Sequence, residues 1–237
     1  MLKLVDKIRK DEPRVGTRKL QHRLMKSRIC VGRDQLFGIL RRSDRLVKVK
    51  KRFKKTTYSR HSYAVAPNRI KELSITGPSQ VLVADCTYLS LSGGKFAYLF
   101  LVTDIYTRMI VGFHLSRDLS HYSAVIALEN AVSWMGETRG VIHHSDRGCQ
   151  YCCHEFLAVL KARGMESSMT DADHCYQNAI AERVNGILKD DFNLDAEFRD
   201  FEQMRAAVVH AILVYNTKRT HWSLELLTPQ EKYEQAA

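Results

Sequence analysis

The chain changes character near residue 80, and this change limits how it can fold. Residues 1–80 carry 23 lysines and arginines against 6 acids, a net charge of +17, whereas residues 81–237 carry 14 against 20, a net charge of −6. The second part also contains repeated runs of Val, Ile, Leu and aromatic residues. The pattern predicts a small basic module that meets a polyanion, joined to a larger domain with its own core and another task.

Short amphipathic segments account for the first part of the basic module. Leu20 and Leu24 are four residues apart, and Leu36 and Leu40 show the same spacing after a short turn. Two short helices joined by a tight turn, with arginines on the second, are typical of a helix-turn-helix. Other small helical bundles show the same pattern. Both interpretations therefore stay open for residues 1–45.

A dense run of cations follows these helices. Residues 41–60 contain ten lysines and arginines and one acid. Like charges this close repel unless a polyanion neutralises them, so a DNA-tracking arm is preferred over a solvated linker. We predict a basic linker or arm over residues 46–79, ending in a connector that contains Pro67, Gly77 and Pro78. The cations expected to contact DNA are Arg41, Arg42, Lys48, Lys50, Lys51, Arg52, Lys54 and Lys55.

Residues 80–237 show the pattern of a mixed α/β domain. Three hairpin-linked strands followed by alternating helices and strands predict a mixed sheet with helices packed on it. The predicted strands cover residues 81–91, 95–104, 108–115, 141–146 and 165–170. The predicted helices cover residues 121–134, 151–163, 178–192 and 199–216.

Three carboxylates in this domain are candidates for chemistry. Asp85 lies inside an otherwise apolar strand, where a carboxylate is costly to bury unless it is paired or binds metal. Asp146 ends a predicted strand, the position at which α/β sheets usually form sites. Glu182 and Lys189 fall two turns apart on the polar face of a predicted helix. Taken alone, that helix face is more typical of an ordinary solvated surface than of a site.

Other classes of protein find little support in the sequence. No apolar run reaches the roughly 18 to 20 residues of a membrane-spanning helix, and the N-terminus lacks the apolar stretch of a signal peptide. A soluble, cytosolic protein without membrane association is therefore expected. Cys149 and Cys152 have the spacing of a zinc knuckle, but no second tight pair accompanies them. The six cysteines are expected to be reduced thiols.

The stretch from Asp85 to Lys189 resembles the DDE core of bacterial insertion-sequence transposases, in particular the second-frame product (OrfB) of the IS-three family. The motifs that carry the resemblance are Asp85-Cys86-Thr87-Tyr88, His144-Ser145-Asp146-Arg147-Gly148, and Asn178-Ala179 leading to Glu182 and Lys189. The tail, with Tyr215-Asn216, Arg219, His221 and Thr228-Pro229, is also similar, as is the helical front end. Leu82, Gln177 and Thr220 depart from the family pattern. The resemblance covers nearly the whole chain.

The resemblance implies a ribonuclease H-like fold that holds two Mg²⁺ or Mn²⁺ ions. Asp85 would bridge both ions, and Asp146 and Glu182 would each complete one. Lys189 would steer a DNA phosphate near the scissile bond. His144 and Asn178 are expected to support these ligands from behind, although a purely structural histidine explains His144 equally well.

The same resemblance implies a transposase that cleaves the ends of an insertion sequence and joins them to target DNA. Its partners would be double-stranded DNA of the terminal repeats and of the target, further copies of the chain assembled on that DNA, and the product of the upstream reading frame. Two alternatives remain open from the sequence. One is a DNA-binding regulator without catalytic activity, and the other is a ribonuclease H-like nuclease that cuts without joining.

Overall fold

The computed structural model describes residues 1–47, 63, 65–171 and 175–236, without the side chains of residues 175 and 176. The predicted DNA contacts Lys48, Lys50, Lys51, Arg52, Lys54 and Lys55 lie outside the described residues. Within the described ranges, no helix combines the length and the apolar character needed to cross a membrane.

Three helices form the N-terminal module: α1 (Leu2–Asp11), α2 (Thr17–Lys26) and α3 (Arg33–Arg42). Their apolar faces build a small core of their own, because the leucines at helical spacing are all fully buried. A buried ion pair between Glu12 and Arg23 holds α2 against the end of α1. The predicted pair of helices joined by a turn is thus present as α2 and α3.

A five-stranded mixed sheet forms the centre of the larger domain. Its strands are β1 (Val81–Leu91), β2 (Lys95–Asp104), β3 (Ile110–Ser116), β4 (Ile142–Ser145) and β5 (Glu166–Met169). The strand order is β3-β2-β1-β4-β5. The first three strands pair antiparallel, and β4 and β5 run parallel to β1. The long strand β1 is therefore central, with the antiparallel hairpins on one side and the parallel strands on the other.

Helices cover both faces of this sheet. They are α4 (His121–Met135), α5 (Cys149–Cys152), α6 (His154–Ala162), α7 (Ala179–Asp191), α8 (Phe201–Thr217) and α9 (Pro229–Glu234). Leu82 and Ala84 of β1 pack with α4, α5 and α6, whereas Leu89 and Leu91 pack with α7 and α8. Because side chains alternate along a strand, the odd-numbered residues of β1 face α7 and α8. Asp85 belongs to this second set.

The structure differs from the sequence prediction at three places, two of them boundaries and one an additional helix. The predicted helix over residues 151–163 is two helices, because Cys153 adopts an extended conformation (φ −71°, ψ 152°) between α5 and α6. This break lets Tyr151 and Phe156 meet edge to face in the core, 5.4 Å between ring centroids. The strand predicted over residues 141–146 ends at Ser145, so Asp146 lies one residue beyond it. The short helix α9 was not predicted.

The tail motif fastens the end of the chain to the sheet. Asn216 donates to the carbonyl of Ile110 and accepts from its amide, which extends the edge of β3. Tyr215 is fully buried, and its hydroxyl donates to the carbonyl of Arg108. Arg219, only 4% exposed, binds Asp191 at the end of α7 over 2.8 Å. The tail therefore holds both the sheet edge and α7.

The tight contact between β3 and α4 gives a stability prediction. Gly112 of β3 faces Ala127 and Ala131, and a Cβ at this position would lie 2.7 Å from the Ala131 Cβ and closer still to the Ala127 carbonyl. We expect Gly112→Ala to lower the free energy of unfolding by about 1–3 kcal/mol, because backbone rather than a flexible side chain would have to move. Urea unfolding monitored by circular dichroism measures the change.

Gly186 in α7 is the matched control, because no heavy atom lies within 4 Å of a Cβ built there. Gly186→Ala should raise the free energy of unfolding by up to about 1 kcal/mol, because alanine has a higher helix propensity than glycine. A neutral or stabilising effect of Gly112→Ala would show that β3 and α4 are not packed as closely as described.

Candidate active site

The pairing of β1 with β4 brings two of the predicted carboxylates to the same level of the sheet. The last pair in this parallel register is Ala84 with Ser145. Asp85 is the next residue of β1 and Asp146 is the first residue after β4, so the two acids lie close enough for the charge of Asp146 to act on Asp85. Asp146 turns the chain immediately after β4, since its Oδ1 accepts the amide of Gly148 over 2.9 Å. Asp146 and the turn at Gly148 thus form one local structure.

Helix α7 is attached to β1 directly at Asp85. Asn185 donates from Nδ2 to Asp85 Oδ2 over 2.9 Å, and the amide of Cys86 donates to Asp85 Oδ1 over 2.8 Å. Asn178, at the N-terminus of α7, donates from Nδ2 to the carbonyl of Ala84 over 3.0 Å. Two asparagines, seven residues apart on one helix face, thus fix α7 across the strand.

Glu182 lies between these two asparagines along α7 and is half-buried. It is four residues after Asn178 and three before Asn185, so all three side chains share one face of the helix. The helix face that, taken alone, favours a solvated surface therefore faces the sheet. Asn178 and Asn185 are buried.

The three carboxylates share one electrostatic environment. Burial raises the pKa of Asp85 to about 7, and the negative charges of Asp146 and then Glu182 act in the same direction. The hydrogen bonds from Asn185 and Cys86 lower this pKa and so oppose part of the effect. Burial and two like charges thus bring the pKa of Asp85 close to neutral pH. A cation bound beside it would stabilise its charged form.

The carboxylates are close neighbours without forming a closed cage. Across the described ranges, no three histidine, cysteine, aspartate or glutamate residues are arranged to hold a metal ion. The residues around Asp85 nevertheless suit one chemically. The buried Oδ1 atoms of Asn178 and Asn185 and the hydroxyl of Tyr151 have no hydrogen-bond partner in the described structure. Carboxylate and amide oxygens with unmet polar neighbours fit a hydrated Mg²⁺ or Mn²⁺ better than a softer metal.

Lys189 completes the face of α7 that points to the site. Its Nζ lies 4.6 Å from the centroid of the Tyr88 ring, on the strand that carries Asp85. Burial lowers the pKa of Lys189, and the negative charge of Asp85 opposes this shift. Lys189, two turns after Glu182 on α7, therefore lies beside the carboxylates.

His144, on β4, connects this strand to its neighbour β5. Its Nδ1 lies 2.9 Å from the hydroxyl oxygen of Ser168, the residue opposite it on β5. Burial lowers the pKa of His144 to about 4, so the ring is neutral at pH 7. The contact holds β4 and β5 together next to Asp146. His143 is also buried and packs against Tyr151 and Phe156.

Other acids in the region have structural roles. Asp104 is buried and accepts the amides of Ser79 and Thr107 and the hydroxyl of Thr107, each over 2.7 Å. It therefore caps the turn after β2. Asp171 accepts the side-chain amide of Gln177 over 2.8 Å. Gln177, one of the departures from the family pattern, also accepts from Asn68 and so ties the segment before β1 to the start of α7.

Two of the predicted DNA contacts can be located. Arg41 and Arg42 are exposed on the last turn of α3, and the Arg41 guanidinium lies 5.0 Å from the centroid of the Phe37 ring. They belong to the N-terminal module and not to the carboxylate site.

Asn185 was not among the site residues predicted from the sequence. Its signal was a polar residue one turn after Glu182, on the face that carries Lys189.

Solved structures with the same fold come from retroviral integrases. The HTLV-2 integrase catalytic core domain, in complex with magnesium, matches with a TM-score of 0.53 and 16% identity over 66% of this chain and 97% of that chain. An integrase chain from a simian T-cell lymphotropic virus intasome matches with a TM-score of 0.58 and 15% identity, over 74% and 60%. These likenesses confirm the predicted ribonuclease H-like fold.

Sequence comparisons identify the family. The model described as "Integrase core domain" matches residues 75–175, and a second model of the same description matches residues 163–229. The 31 kDa protein of insertion element IS600 from Shigella sonnei is 34% identical over 94% of this chain and 83% of its own length. Transposase InsF of insertion sequence IS3A from Escherichia coli K12 is 32% identical over 81% and 67%. The chain therefore belongs to the IS3 family of insertion-sequence transposases with an integrase core domain.

Proposed function

We propose that this transposase cuts and joins DNA at one metal-dependent site formed by Asp85, Asp146 and Glu182. The observation that carries the proposal is the placement of Asp85. It lies level with Asp146 on paired strands, and Asn185 joins it to the helix of Glu182. Placing Asp85 beside two further acids costs free energy in its charged form, and a bound cation would offset that cost.

The proposed chemistry is in-line displacement at a phosphodiester. One P–O bond forms to the attacking oxygen and one breaks to the leaving oxygen, so no covalent bond to the protein is needed. The attacking group is water in cleavage and a DNA 3′-hydroxyl in joining. Two bound Mg²⁺ or Mn²⁺ ions supply the positive charge that favours attack and stabilises the leaving oxygen. Asp85 would hold both ions, and Asp146 and Glu182 one each.

The remaining side chains position these ligands and the DNA. Asn185 fixes the orientation of the Asp85 carboxylate, and Asn178 fixes the start of the helix that carries Glu182. His144 supports the strand before Asp146 through Ser168. Lys189, with its ammonium half-withdrawn from water over the Tyr88 ring, is placed to bind a phosphate beside the carboxylates.

The partners and the division of the chain follow from this assignment. Residues 1–45 would read DNA as a helix-turn-helix, residues 46–79 would track its backbone, and residues 80–237 would carry the reaction. The DNA partners would be the terminal repeats of the element and the target duplex. Because two ends must be joined to one target, several copies of the chain are expected to assemble on DNA.

Cleavage and joining of a labelled terminal-repeat duplex test the proposal directly. We expect Glu182→Gln to lower both rates at least about a hundredfold, because the carboxylate that would hold one of the two ions is lost. DNA affinity should stay within twofold. Glu197→Gln, at an exposed position after α7, is the matched control and should behave as the wild type. Cleavage without any joined product would instead favour a nuclease, and full activity of Glu182→Gln would exclude the proposed site.

The raised pKa of Asp85 predicts how stability depends on pH without metal. The folded protein keeps a proton up to about pH 7 that the unfolded chain loses near pH 4. Stability should therefore fall as the pH rises from about 4 to about 7, by at most about 4 kcal/mol and by less where water reaches the carboxyl. Asp85→Asn should remove most of this dependence, and at pH 8 it should melt above the wild type.

Adding Mg²⁺ or Mn²⁺ at pH 8 should raise the melting temperature of the wild type and leave that of Asp85→Asn unchanged. Asp190→Asn, at an exposed position of the same helix, is the control and should respond like the wild type. Differential scanning fluorimetry over pH 4–9 measures both effects. An Asp85→Asn variant that keeps the full pH dependence would contradict the assignment of the buried charge.

Asn185 is a positioning residue with a distinct signature. Without its hydrogen bond, which lowers the pKa of Asp85, that pKa should rise, and the pH–rate profile of Asn185→Ala should shift to higher pH. The Mg²⁺ concentration for half-maximal cleavage should increase about 10- to 100-fold. Asn130→Ala, which removes an exposed asparagine from α4, is the control. An equal loss of rate at every pH and metal concentration would indicate a merely structural role.

A further inference from the structure

A cleft separates the N-terminal module from the tail of the chain. Its volume is about 400 Å³, within the range of small-molecule sites. Helix α2 forms one wall and the short turn of 3₁₀-helix at Trp222–Leu224 forms the other. The residues that line it are Arg18, Gln21, His22, Met25, Arg33, Trp222 and Leu226.

The walls of the cleft are held at fixed positions. Lys26, at the end of α2, pairs with Glu231 of α9 over 3.1 Å. Asp11 pairs with Lys218 over 2.6 Å, and the amide of Arg14 donates to the carbonyl of Asp191. On the tail side, His221 is buried against Arg219 and Tyr215, immediately before Trp222. The cleft is therefore part of the folded structure and not a gap between loosely placed parts.

The cleft exposes two large apolar side chains to water. Trp222 is 57% exposed and Met25 is 55% exposed, although both face the same opening. The indole ring is accessible for stacking and lies beside the cationic side chains of the same cleft. The apolar surface is too small and too interrupted by polar groups to suit a protein helix.

The polar groups of the cleft select a planar, anionic ligand. Arg18 is exposed and has no ion pair in the part of the chain that the structure describes. Arg33 forms an ion pair with the neighbouring Asp34. The Nε2 atom of His22 is buried and lacks a hydrogen-bond partner among the described residues. Two guanidinium groups, one unsatisfied ring nitrogen and one open indole together match a nucleobase with its flanking phosphates.

We infer that this cleft binds an unpaired nucleotide of DNA, with the base stacked on Trp222 and its phosphates on Arg18 and Arg33. The inference rests on the proposed function, since cutting and joining create strand ends whose bases are the easiest to unstack. Arg33 opens α3, the helix that a helix-turn-helix would place in the major groove. A duplex bound by α3 would thus present its neighbouring unpaired nucleotide to the cleft.

Tryptophan fluorescence gives a direct readout, because Trp134 and Trp222 are the two tryptophans of the chain. Trp134→Phe, which keeps an aromatic ring against Tyr233, leaves Trp222 as the sole reporter. The full-length Trp134→Phe protein is titrated, without divalent metal, with a single-stranded oligonucleotide, a duplex with a three-nucleotide overhang and a blunt duplex. Saturable quenching by the first two ligands, and weaker quenching by the blunt duplex, is expected from base stacking.

Substitutions at Trp222 then separate stacking from simple charge attraction. Trp222→Ala should weaken binding of the single strand and of the overhang duplex about tenfold, the loss of one base–aromatic stack. It should leave blunt-duplex affinity within twofold, as measured by fluorescence anisotropy of labelled DNA. Trp222→Phe should restore most of the affinity. Leu213→Ala, which removes an equally exposed apolar side chain from α8, is the matched control and should change nothing.

Three results would overturn the inference. The first is an unchanged affinity of Trp222→Ala for unpaired DNA. The second is a loss of affinity for the blunt duplex equal to the loss for unpaired DNA. The third is quenching by a free deoxynucleotide as strong as that by the oligonucleotide, which would make a mononucleotide the ligand. Failure here is distinguishable from failure of the proposed reaction. Loss of cleavage in Glu182→Gln does not depend on Trp222, and the fluorescence titration needs no metal and no turnover.

Discussion

The repulsion between a buried aspartate and two neighbouring carboxylates is the constraint around which this structure is organised. Asp85 lies on the central strand and its pKa is raised to about 7 by burial and by Asp146 and Glu182. Such an arrangement destabilises the folded protein at neutral pH unless something offsets the charge. Among the described residues, the contacts that offset this charge include a hydrogen bond from Asn185, one from the Cys86 amide and the nearby positive charge of Lys189. The site is therefore held together by the surrounding fold rather than by its own interactions.

Each layer of the fold contributes to holding the carboxylates in place. The parallel register of β1 and β4 sets Asp85 level with Asp146, and the contact of His144 with Ser168 fixes β4 to its outer neighbour. Helix α7 is attached at its start through Asn178 and at its end through the pair of Asp191 with the buried Arg219. Because the tail also clamps the edge of β3, the motif near the C-terminus stabilises the same helix that carries Glu182.

Much of this arrangement could be predicted from sequence because it depends on local patterns. The runs of β-forming residues at 81–91 and 95–104 and the helical pattern at 178–192 correctly predict the elements that carry Asp85 and Glu182. What could not be predicted depends on contacts between distant residues. The break at Cys153 serves the packing of Tyr151 against Phe156, and the role of Asn185 exists only once α7 crosses β1. The arm at residues 48–62, where charge was the only signal, stays a prediction.

The two modules of the chain meet through interactions of a different kind from those in the cores. The pairs of Asp11 with Lys218 and of Lys26 with Glu231 are partly exposed, and exposed ion pairs contribute at most about 1 kcal/mol each and weaken with salt. The two modules have separate buried cores, one around α1–α3 and two on the faces of the sheet. Of the two lysines only Lys26 belongs to the basic module, and a polyanion bound to that module would compete with Glu231 for it. DNA bound as proposed would therefore weaken this junction without disturbing any of the three cores, and the cleft beside Trp222 lies at this junction.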